Sequence, residues 1–451
     1  KYEQVGQDYP IGFVRWTEQR NFEAILEAMR AGQLRVKELI THRIKLEDAA
    51  AAYDKLLHDP AALGIVIEYP AHSKRDTYRP INEAKKEGDH TIASRQKSQP
   101  SSSTSTYPVN VGVIGAGNYA RSTLLPALSR TKAGLAMVAD LNGVAAAHAA
   151  KKFGADRAVS DYRQILDDPH IQAVFVLVGH HLHAKFVCEC LVAGKHVFVE
   201  KPLAINEGQL ADVISAYSKR KMDSRFRGND SGTMVMVGFN RRFSPHTLKI
   251  RELLAGRTEP LAMSMTVNAG AIPPEHWTQD PERGGGRIIG EACHFIDLLA
   301  FLANSTVTSV SAMMIGGNGP MRDDKISILL SFADGSVGTV HYFANGSKSY
   351  PKETLEIFGD GRVIRMENFR TTTGYGFKEF RSFRTWRQDK GHRAEIEAFV
   401  NVVGTFEQMR RGGDDRGSSF SPLIPFDEIV NATRASFAAV ESARSGKIIT
   451  I

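Results

Sequence analysis

The sequence has few cysteines and no long apolar run. Its 451 residues include only three cysteines, Cys188, Cys190 and Cys293. Three thiols cannot build a disulfide framework, which favours a reducing cytoplasm as the location. No apolar run approaches the roughly 18 residues that a membrane-spanning helix needs, and the opening residues KYEQVGQDYP lack the apolar core of a signal peptide. We therefore expect a cytoplasmic protein with no membrane partner.

Neither the charge nor the cysteine spacing indicates a specialised ligand. The formal net charge of +7 is scattered along the chain, so we read it as surface charge and expect no nucleic-acid partner. Cys188 and Cys190 stand two apart in a helical pattern and do not share a helix face, which argues against a metal pair. The chain is too long for one compact core, so two or three domains are expected.

The composition changes twice along the chain. Residues 1–84 contain a helical pattern around WTEQRNFEAILEAMRAGQL, a second one in LEDAAAAYDKLL, and strand-like stretches in LRVKELITHRI and GIVIEY. Residues 85–108 lose nearly all large apolar residues and fill with Ser, Thr, Lys and Gln, which predicts a disordered linker. The sequence thus predicts a small helix-rich unit followed by a linker.

The remainder predicts an α/β protein of two domains. Over 109–242, apolar strands alternate with helical stretches, which favours a doubly wound parallel sheet. A polar segment at about 219–232 predicts an exposed insertion within this domain. Over 243–451, longer alternating strands joined by turns such as ADGS and GDGR predict a large, open, mostly antiparallel sheet. The last stretch, PFDEIVNATRASFAAVESARSG, predicts a helix capped by glycine.

GAGNYA, residues 115–120, matches G-x-G-x-x-A between a strand and a helix. Gly115 suits the tight turn, Gly117 lets backbone N–H groups approach a pyrophosphate, and Ala120 allows close helix packing. Asp140 ends the second strand, where a carboxylate accepts hydrogen bonds from ribose hydroxyls. No Arg or Lys follows Asp140 closely, so we expect NAD(H) rather than NADP(H).

Charged and imidazole side chains gather at other strand ends. FVEKP places Glu200, Lys201 and Pro202 at the carboxyl end of a buried strand, where such sheets bind ligands; taken alone, a solvated strand end explains them equally well. LVGHHLH contributes His180, His181 and His183, for which pocket lining and surface positions both remain open. Three or four convergent ligands would be needed for zinc, so no metal is expected.

These motifs in their order resemble the Gfo/Idh/MocA oxidoreductases, the family of glucose–fructose oxidoreductase and inositol dehydrogenase. The resemblance spans roughly 109–451 and rests on GVIGAGNYA, Asp140, His183, VFVEKP, GFNRRF and GGGRIIGEACHFIDLL. It implies a Rossmann domain, an open-sheet domain that often forms a dimer face, and hydride transfer between a nicotinamide and a sugar or polyol carbon. A homodimer or homotetramer through the open sheet is therefore expected.

The resemblance also implies residue roles. Lys201 and His294 become the proton-handling pair; the aspartate usual four residues before this histidine is Gly290 here, so Glu291 is the candidate for orienting His294. The implied cofactor contacts are Gly115, Gly117, Asn118, Tyr119, Ala120, Asp140, Gly179, His183, Glu200 and Pro202. The implied substrate contacts are Asn240, Arg241 and Asp297, although a structural ion pair explains Asn240 and Arg241 as well.

The first 70 residues resemble the last stretch of a medium-chain, zinc-type alcohol dehydrogenase, without its nucleotide fold or zinc ligands. Fusions of such a dehydrogenase with a Gfo/Idh/MocA unit occur in bacterial surface-polysaccharide gene clusters. The expected function is NAD-dependent oxidation of a secondary alcohol of a sugar, polyol or nucleotide sugar, or its reverse. The alternatives are a non-catalytic NAD-binding sensor or scaffold and a decayed fusion product.

Overall fold

The computed structural model describes residues 17–48, 59, 61–68, 109–222, 233–316, 324–412 and 422–451. The chain divides into two compact units, Lys1–Thr77 and Tyr78–Ile451. The predicted linker 85–108 lies outside the described residues. Within the described part of the chain, no helix combines the length and apolar character needed to span a membrane.

The first unit contains one long helix and two short strands. Helix α1 (Glu18–Arg30) begins where the Thr17 hydroxyl accepts the N–H of Arg20 at 3.3 Å. Strands β1 (His42–Lys45) and β2 (Ile65–Glu68) pair in parallel. The first predicted helix is confirmed, and strands form within or just after the two strand-like stretches. Most of the second predicted helix lies outside the described residues, apart from a short turn at Leu46–Asp48.

A six-stranded parallel sheet opens the second unit. Its strands are β3 (Val109–Ile114), β4 (Ala133–Ala139), β5 (Arg157–Val159), β6 (Ala173–Val176), β7 (His196–Val199) and β8 (Val235–Val237), in the order β5-β4-β3-β6-β7-β8. Its helices are α2 (Leu125–Leu128), α3 (Gly143–Phe153), α4 (Arg163–Asp167), α5 (His183–Val192) and α6 (Glu207–Met222). The predicted doubly wound sheet is confirmed. Three-residue β5 is too short for a recognisable sequence pattern.

The predicted insertion at about 219–232 is wrong at its start, because α6 continues to Met222. Residues 223–232 lie outside the described residues.

A nine-stranded open sheet forms the second layer. Its strands are β9 (Ala262–Asn268), β10 (Val307–Met314), β11 (Lys325–Phe332), β12 (Val337–Phe343), β13 (Glu353–Gly359), β14 (Arg362–Glu367), β15 (Thr371–Tyr375), β16 (Ser382–Arg384) and β17 (Ile449–Thr450). The order is β16-β15-β14-β13-β9-β12-β11-β10-β17. The β9–β12 pair is parallel and the other pairs are antiparallel, so the predicted mostly antiparallel sheet is confirmed. Helix α7 (Pro245–Leu253) lies between β8 and β9, and helix α8 (Cys293–Ala303) lies between β9 and β10.

The last two long helices, α9 (His392–Gly412) and α10 (Phe426–Ser445), do not both belong to the open sheet. Phe399 on α9 packs with ring centroids 5.4 Å from Phe175 and 5.7 Å from Phe198, two residues of the parallel sheet. Helix α10 contributes Ile429 to that core and Ala439 to the core of the open sheet. The predicted boundary, with all of 243–451 in the second domain, therefore differs from the observed packing. Gly446 caps α10 with φ +70°, as predicted.

Two adjacent arginines join the parallel sheet to the open-sheet layer just after β8. Arg241 donates to the Glu353 carboxylate at 2.8 Å, and Arg242 donates to Asp297 at 2.7 Å. Glu353 and Asp297 are both fully buried. Because a buried carboxylate without its cation is strongly destabilising, these pairs fix β13 and α8 against the end of β8.

Removing the Arg242 guanidinium would leave the Asp297 charge buried without a partner. We expect Arg242→Ala to lower the free energy of unfolding by about 3–5 kcal/mol. The double variant Arg242→Met/Asp297→Leu should recover most of that loss, because neither charge then remains. Urea unfolding measures both.

The matched control is Lys249→Ala, which removes an exposed partner of Glu252 and should cost at most about 1 kcal/mol. A loss in Arg242→Ala no larger than in this control would contradict the prediction.

Candidate active site

The glycine turn after β3 has the shape that a dinucleotide requires. Gly115 has φ +103°, and a Cβ there would lie 2.4 Å from the carbonyl oxygen of Leu177, so glycine is required for both reasons. A Cβ at Gly117 would meet no atom within 4 Å. Gly117 thus borders open space, while Ala120 is buried at the start of the following helix. The turn fits a pyrophosphate at the helix N-terminus.

Asp140 stands at the end of β4 beside this turn. One carboxylate oxygen accepts the N–H of Ala116 at 2.7 Å, and the other accepts the N–H of Asn142 at 2.8 Å. The next side chain, Leu141, is 93% exposed. The Asp140 carboxylate therefore links the end of β4 to the glycine turn. Leu141, the next residue, points into solvent and does not cover this carboxylate's surroundings.

Asn118 and Tyr119 complete the turn. The Asn118 side chain accepts a hydrogen bond from Arg121 at 2.8 Å. The Tyr119 ring lies edge-on to His392, with centroids 6.4 Å apart. The Tyr119 residue is 43% exposed, but loss of solvent around its hydroxyl raises the pKa of that group, and the neighbouring carboxyl groups of Glu200 and Glu395 raise it further. Tyr119 thus connects the glycine turn to α9.

Lys201, at the carboxyl edge of the parallel sheet, contacts the turn that leads into the helix of His294. The Lys201 ammonium group donates to the Gly290 carbonyl at 2.9 Å. Gly290 lies in a π-helical turn, Ile288–Ala292, that precedes α8, a distortion frequent at functional sites. The positive charge of Lys201 is close enough to lower the pKa of His294. The sequence placed the helix start near Gly290, two residues later than the start of this wide turn.

His294 is a buried, uncharged imidazole. Burial holds its pKa well below the ordinary value, and the charges of Arg241 and Lys201 lower it further. Its Nδ1 atom is buried and has no hydrogen-bond partner among the described residues. A neutral imidazole with a free ring nitrogen is the form that accepts a proton.

The expectation that Glu291 orients His294 is wrong. The Glu291 carboxylate accepts from the Tyr342 hydroxyl at 2.5 Å and from Arg287 at 3.2 Å. Burial would raise the pKa of Glu291, but the charges of Arg287 and Lys201 outweigh burial and lower it. Glu291 lies within the wide π-turn that precedes α8, so the regular helical geometry on which the three-residue spacing depended does not hold. Glu291 is still close enough to Lys201 for the lysine's charge to lower its pKa, but its hydrogen-bond partners are Tyr342 and Arg287.

The proposed substrate residues are occupied by protein partners. Asp297 is fully buried and accepts from Arg242 through both oxygens, so it is an ion-pair partner instead of a substrate contact. Arg241 pairs with Glu353, which is the alternative that the sequence left open. Asn240 is 2% exposed and donates to the Lys390 carbonyl at 2.7 Å. Their side chains shape the site's wall.

The histidines after β6 differ in their surroundings. His183 is fully buried, with Nδ1 at 2.7 Å from the Pro202 carbonyl and Nε2 at 3.0 Å from the Val178 carbonyl. Burial lowers the pKa of His183 to about 4, so one ring nitrogen donates. His183 therefore links two segments of the chain. One is the turn after β6, which begins at Val178 and Gly179, and the other is the segment of Pro202, the residue after Lys201. His180 Nδ1 lies 2.8 Å from the Gly284 carbonyl.

Glu200 and Glu395 are two buried carboxyl groups, and the sequence did not reveal that the charge of one acts on the other. Burial raises the pKa of Glu200 to about 7, although Lys201 opposes it. Burial and the charge of Glu200 raise the pKa of Glu395 well above its ordinary value. Both Glu395 oxygens are without hydrogen-bond partners among the described residues. Glu395 is thus a neutral acid behind the glycine turn.

Other site residues come from segments far away in the sequence. Lys390 donates to Glu353 at 2.8 Å and adds to the positive charge near His294. Trp277 packs edge-to-face on His180 with centroids 4.7 Å apart. No local motif marks either residue, because only the fold brings them to this strand edge. Among the described residues, no group of three His, Cys, Asp or Glu side chains could hold a metal ion.

The geometry and comparisons with known proteins agree on the class. The fold and glycine turn define an NAD-binding oxidoreductase. The model of the oxidoreductase family with an NAD-binding Rossmann fold matches residues 109–223, and that of the GFO/IDH/MocA C-terminal domain matches residues 248–365. The chain belongs to the Gfo/Idh/MocA family, whose members act as oxidoreductases on CH–OH groups.

Curated relatives support this assignment. The chain is 30% identical over 311 residues to inositol 2-dehydrogenase 2 of Saccharopolyspora erythraea, spanning 66% of this chain and 86% of that protein. It is 27% identical over 328 residues to levoglucosan dehydrogenase of Pseudarthrobacter phenanthrenivorans, spanning 61% and 79%. Myo-inositol 2-dehydrogenase of Thermotoga maritima is 26% identical over 281 residues, spanning 59% and 79%.

Solved structures share the fold. Levoglucosan dehydrogenase in complex with NADH superposes with a TM-score of 0.60 at 24% identity, covering 76% of this chain and 99% of that chain. An oxidoreductase domain protein from Kribbella flavida superposes with a TM-score of 0.62 at 21% identity, with the same coverage.

The two glycines of the turn should respond differently to a methyl group. Gly117→Ala adds a methyl group facing open space, so we expect unchanged thermal stability but at least tenfold weaker NADH binding, because the methyl occupies the pyrophosphate's approach. Gly115→Ala collides with Leu177 and needs positive φ, so both stability and binding should fall. Thermal unfolding and NADH fluorescence titration measure these effects. Normal NADH affinity in Gly117→Ala would contradict the placement of the cofactor.

Glu200 should make stability depend on pH. Its pKa of about 7 exceeds the ordinary 4.5, so the folded protein keeps a proton that the unfolded chain releases. Its contribution to stability is complete below about pH 4.5 and is lost as the pH rises to about 7. We expect Glu200→Gln to gain up to about 3 kcal/mol relative to the parent between pH 5 and 8, measured by urea unfolding. Parallel profiles in the parent, Glu200→Gln and the exposed control Glu207→Gln would refute this.

Proposed function

We propose that the chain is an NAD(H)-dependent dehydrogenase for a secondary alcohol of a sugar, polyol or nucleotide sugar. The observation that carries the proposal is the hydrogen bond from Lys201, at the carboxyl edge of the parallel sheet, to the Gly290 carbonyl in the turn that leads into the helix of the buried His294. The glycine turn opens at the same edge. The relatives named levoglucosan dehydrogenase and inositol 2-dehydrogenase point to this substrate class.

In the proposed oxidation, His294 accepts the proton of the substrate hydroxyl at Nε2, because Nδ1 is enclosed by the protein. The Lys201 ammonium group donates a hydrogen bond to the same oxygen and stabilises the negative charge that develops there. The nicotinamide, when bound, supplies the acceptor for the hydride that leaves the carbon, so the carbon–oxygen bond becomes a carbonyl. Arg241 and Lys390 keep His294 neutral until it receives the proton.

The same residues favour NAD(H). The dinucleotide would bind over Gly117, with its adenosine ribose toward Asp140. A 2′-phosphate beside this carboxylate would be repelled, and the exposed residue that follows is Leu141, which offers no positive charge. We therefore propose a preference for NAD(H) over NADP(H). Glu200 and Tyr119 would line the pocket behind the nicotinamide, because Lys201 follows Glu200 directly.

Three further proposals rest on sequence resemblance. Residues 1–84 would derive from the C-terminal part of a zinc-type alcohol dehydrogenase, without a reaction of its own. The context would be surface-polysaccharide biosynthesis in the cytoplasm. The exposed face of the open sheet would form a homodimer or homotetramer.

A substrate panel tests the proposed reaction. The purified chain is incubated with NAD⁺ or NADP⁺ and myo-inositol, levoglucosan, D-xylose or nucleotide sugars, and NAD(P)H is followed by its absorbance. We expect turnover with NAD⁺ on at least one compound. Lys201→Met should lower kcat by about 10²–10⁴-fold, whereas Lys185→Met, at an exposed position on α5, should not.

NADH binding without turnover on any compound would favour the non-catalytic alternative, a sensor or scaffold. Equal kcat values in the parent and Lys201→Met would refute the lysine's role. Higher kcat/KM with NADP⁺ would refute the cofactor preference.

A further inference from the structure

The His180 ring occupies the space beside Gly290 where a side chain would lie. A Cβ built at Gly290 would be 2.9 Å from Cε1 and 3.2 Å from Nδ1 of His180. Real Cβ atoms do not approach ring atoms this closely, so one of the two groups would have to move. Gly290 is helical and its φ is not positive. The glycine is therefore required by its neighbour and not by its backbone conformation.

The ring has little freedom to move away. Its Nδ1 lies 2.8 Å from the Gly284 carbonyl, its edge packs on Trp277, and it is 8% exposed. Burial lowers the pKa of His180 to about 3, and the charge of Lys201 contributes. The imidazole is thus neutral, Nδ1 carries the proton that Gly284 accepts, and Nε2 keeps its lone pair.

Lys201 connects this pair to the site. Its ammonium group donates to the carbonyl of the same Gly290 whose α-carbon faces His180. Lys201 thus contacts the carbonyl of this glycine, and His180 occupies the space that a side chain on its α-carbon would take. Any side chain at position 290 would displace the His180 ring, the π-helical turn, or both. The Gly290 carbonyl, which accepts the hydrogen bond of Lys201, would move with the turn.

We propose that His180 is a positioning residue for Lys201, and that positions 180 and 290 form one steric unit in which only one carries a large side chain. The ring holds the Gly290 turn in place, and the turn's carbonyl holds the ammonium group. Lys201 is thereby positioned by two uncharged groups. The Gly290 carbonyl accepts its hydrogen bond, and the His180 imidazole occupies the place that a side chain at 290 would take. The catalytic consequence rests on the proposed function; the steric coupling does not.

A double-mutant cycle tests the coupling without any substrate. Gly290→Ala should lower the thermal unfolding midpoint by about 5 °C. In the His180→Ala background the same substitution should cost less than a third of that, because the colliding ring is gone. Equal costs in both backgrounds would overturn the steric unit.

A second readout follows Lys201 itself. The rate at which acetic anhydride acylates Lys201 is measured by peptide mass spectrometry, with exposed Lys132 as internal reference. We expect at least a threefold change in His180→Ala and none in His170→Ala, an exposed histidine at the opposite edge of the sheet. An unchanged Lys201 rate in His180→Ala would overturn the positioning role.

Turnover provides the third readout where the panel yields a substrate. Well below the unfolding midpoint, His180→Ala should lower kcat about tenfold while the NADH dissociation constant stays within about twofold. A purely structural role would lower the midpoint and leave kcat unchanged, which would overturn the proposal. If the parent has no activity but the cycle and the acylation rates behave as expected, the proposed reaction fails while the coupling stands.

Discussion

The whole arrangement depends on two neighbouring arginines that leave the last strand of the parallel sheet. Arg241 binds Glu353 at the start of β13, and Arg242 binds Asp297 in α8. Both carboxylates are fully buried, so neither can separate from its partner without a large desolvation cost. His294 lies three residues before Asp297 on the same helix, so the Arg242–Asp297 pair also anchors the helix that carries His294. A position fixed by buried charges suits a residue that has to meet a substrate atom accurately.

Positive charge explains the chemistry of the site better than any single hydrogen bond. The charges of Arg241, Lys201 and Lys390 all act on His294, while Glu353 pairs with Arg241 and Lys390, and Glu395 is held as a neutral acid. After burial, which has the larger effect, the positive charge also keeps the imidazole unprotonated before substrate arrives. It also favours an alkoxide-like oxygen over a neutral hydroxyl. One set of charges thereby prepares both the base and the oxygen that it acts on.

Local patterns in the sequence predicted those parts of the structure whose cause is local. The glycine turn follows from the backbone of Gly115, and the open sheet follows from alternating strands. Lys201 is identifiable because its strand ends in Glu-Lys-Pro. The sequence predicted that Glu291 orients His294, but a π-turn changes the helix register at this point. No residue type in the sequence indicates such a turn. The partner of Arg241 lies 112 residues away, so only the folded chain could show that this arginine is already paired.

Helix α9 has a consequence for how such proteins can be rearranged. Its Phe399 packs on both Phe175 and Phe198, although the chain passes through eight of the nine strands of the open sheet before reaching it. A gene fragment that stopped after β8 would encode every strand of the parallel sheet and still leave that sheet with an uncovered aromatic face. Residues 109–237, which contain all the strands of the parallel sheet, are therefore not a complete folding unit without α9. Recombination between relatives has to exchange both halves together, or keep the final helices with the first.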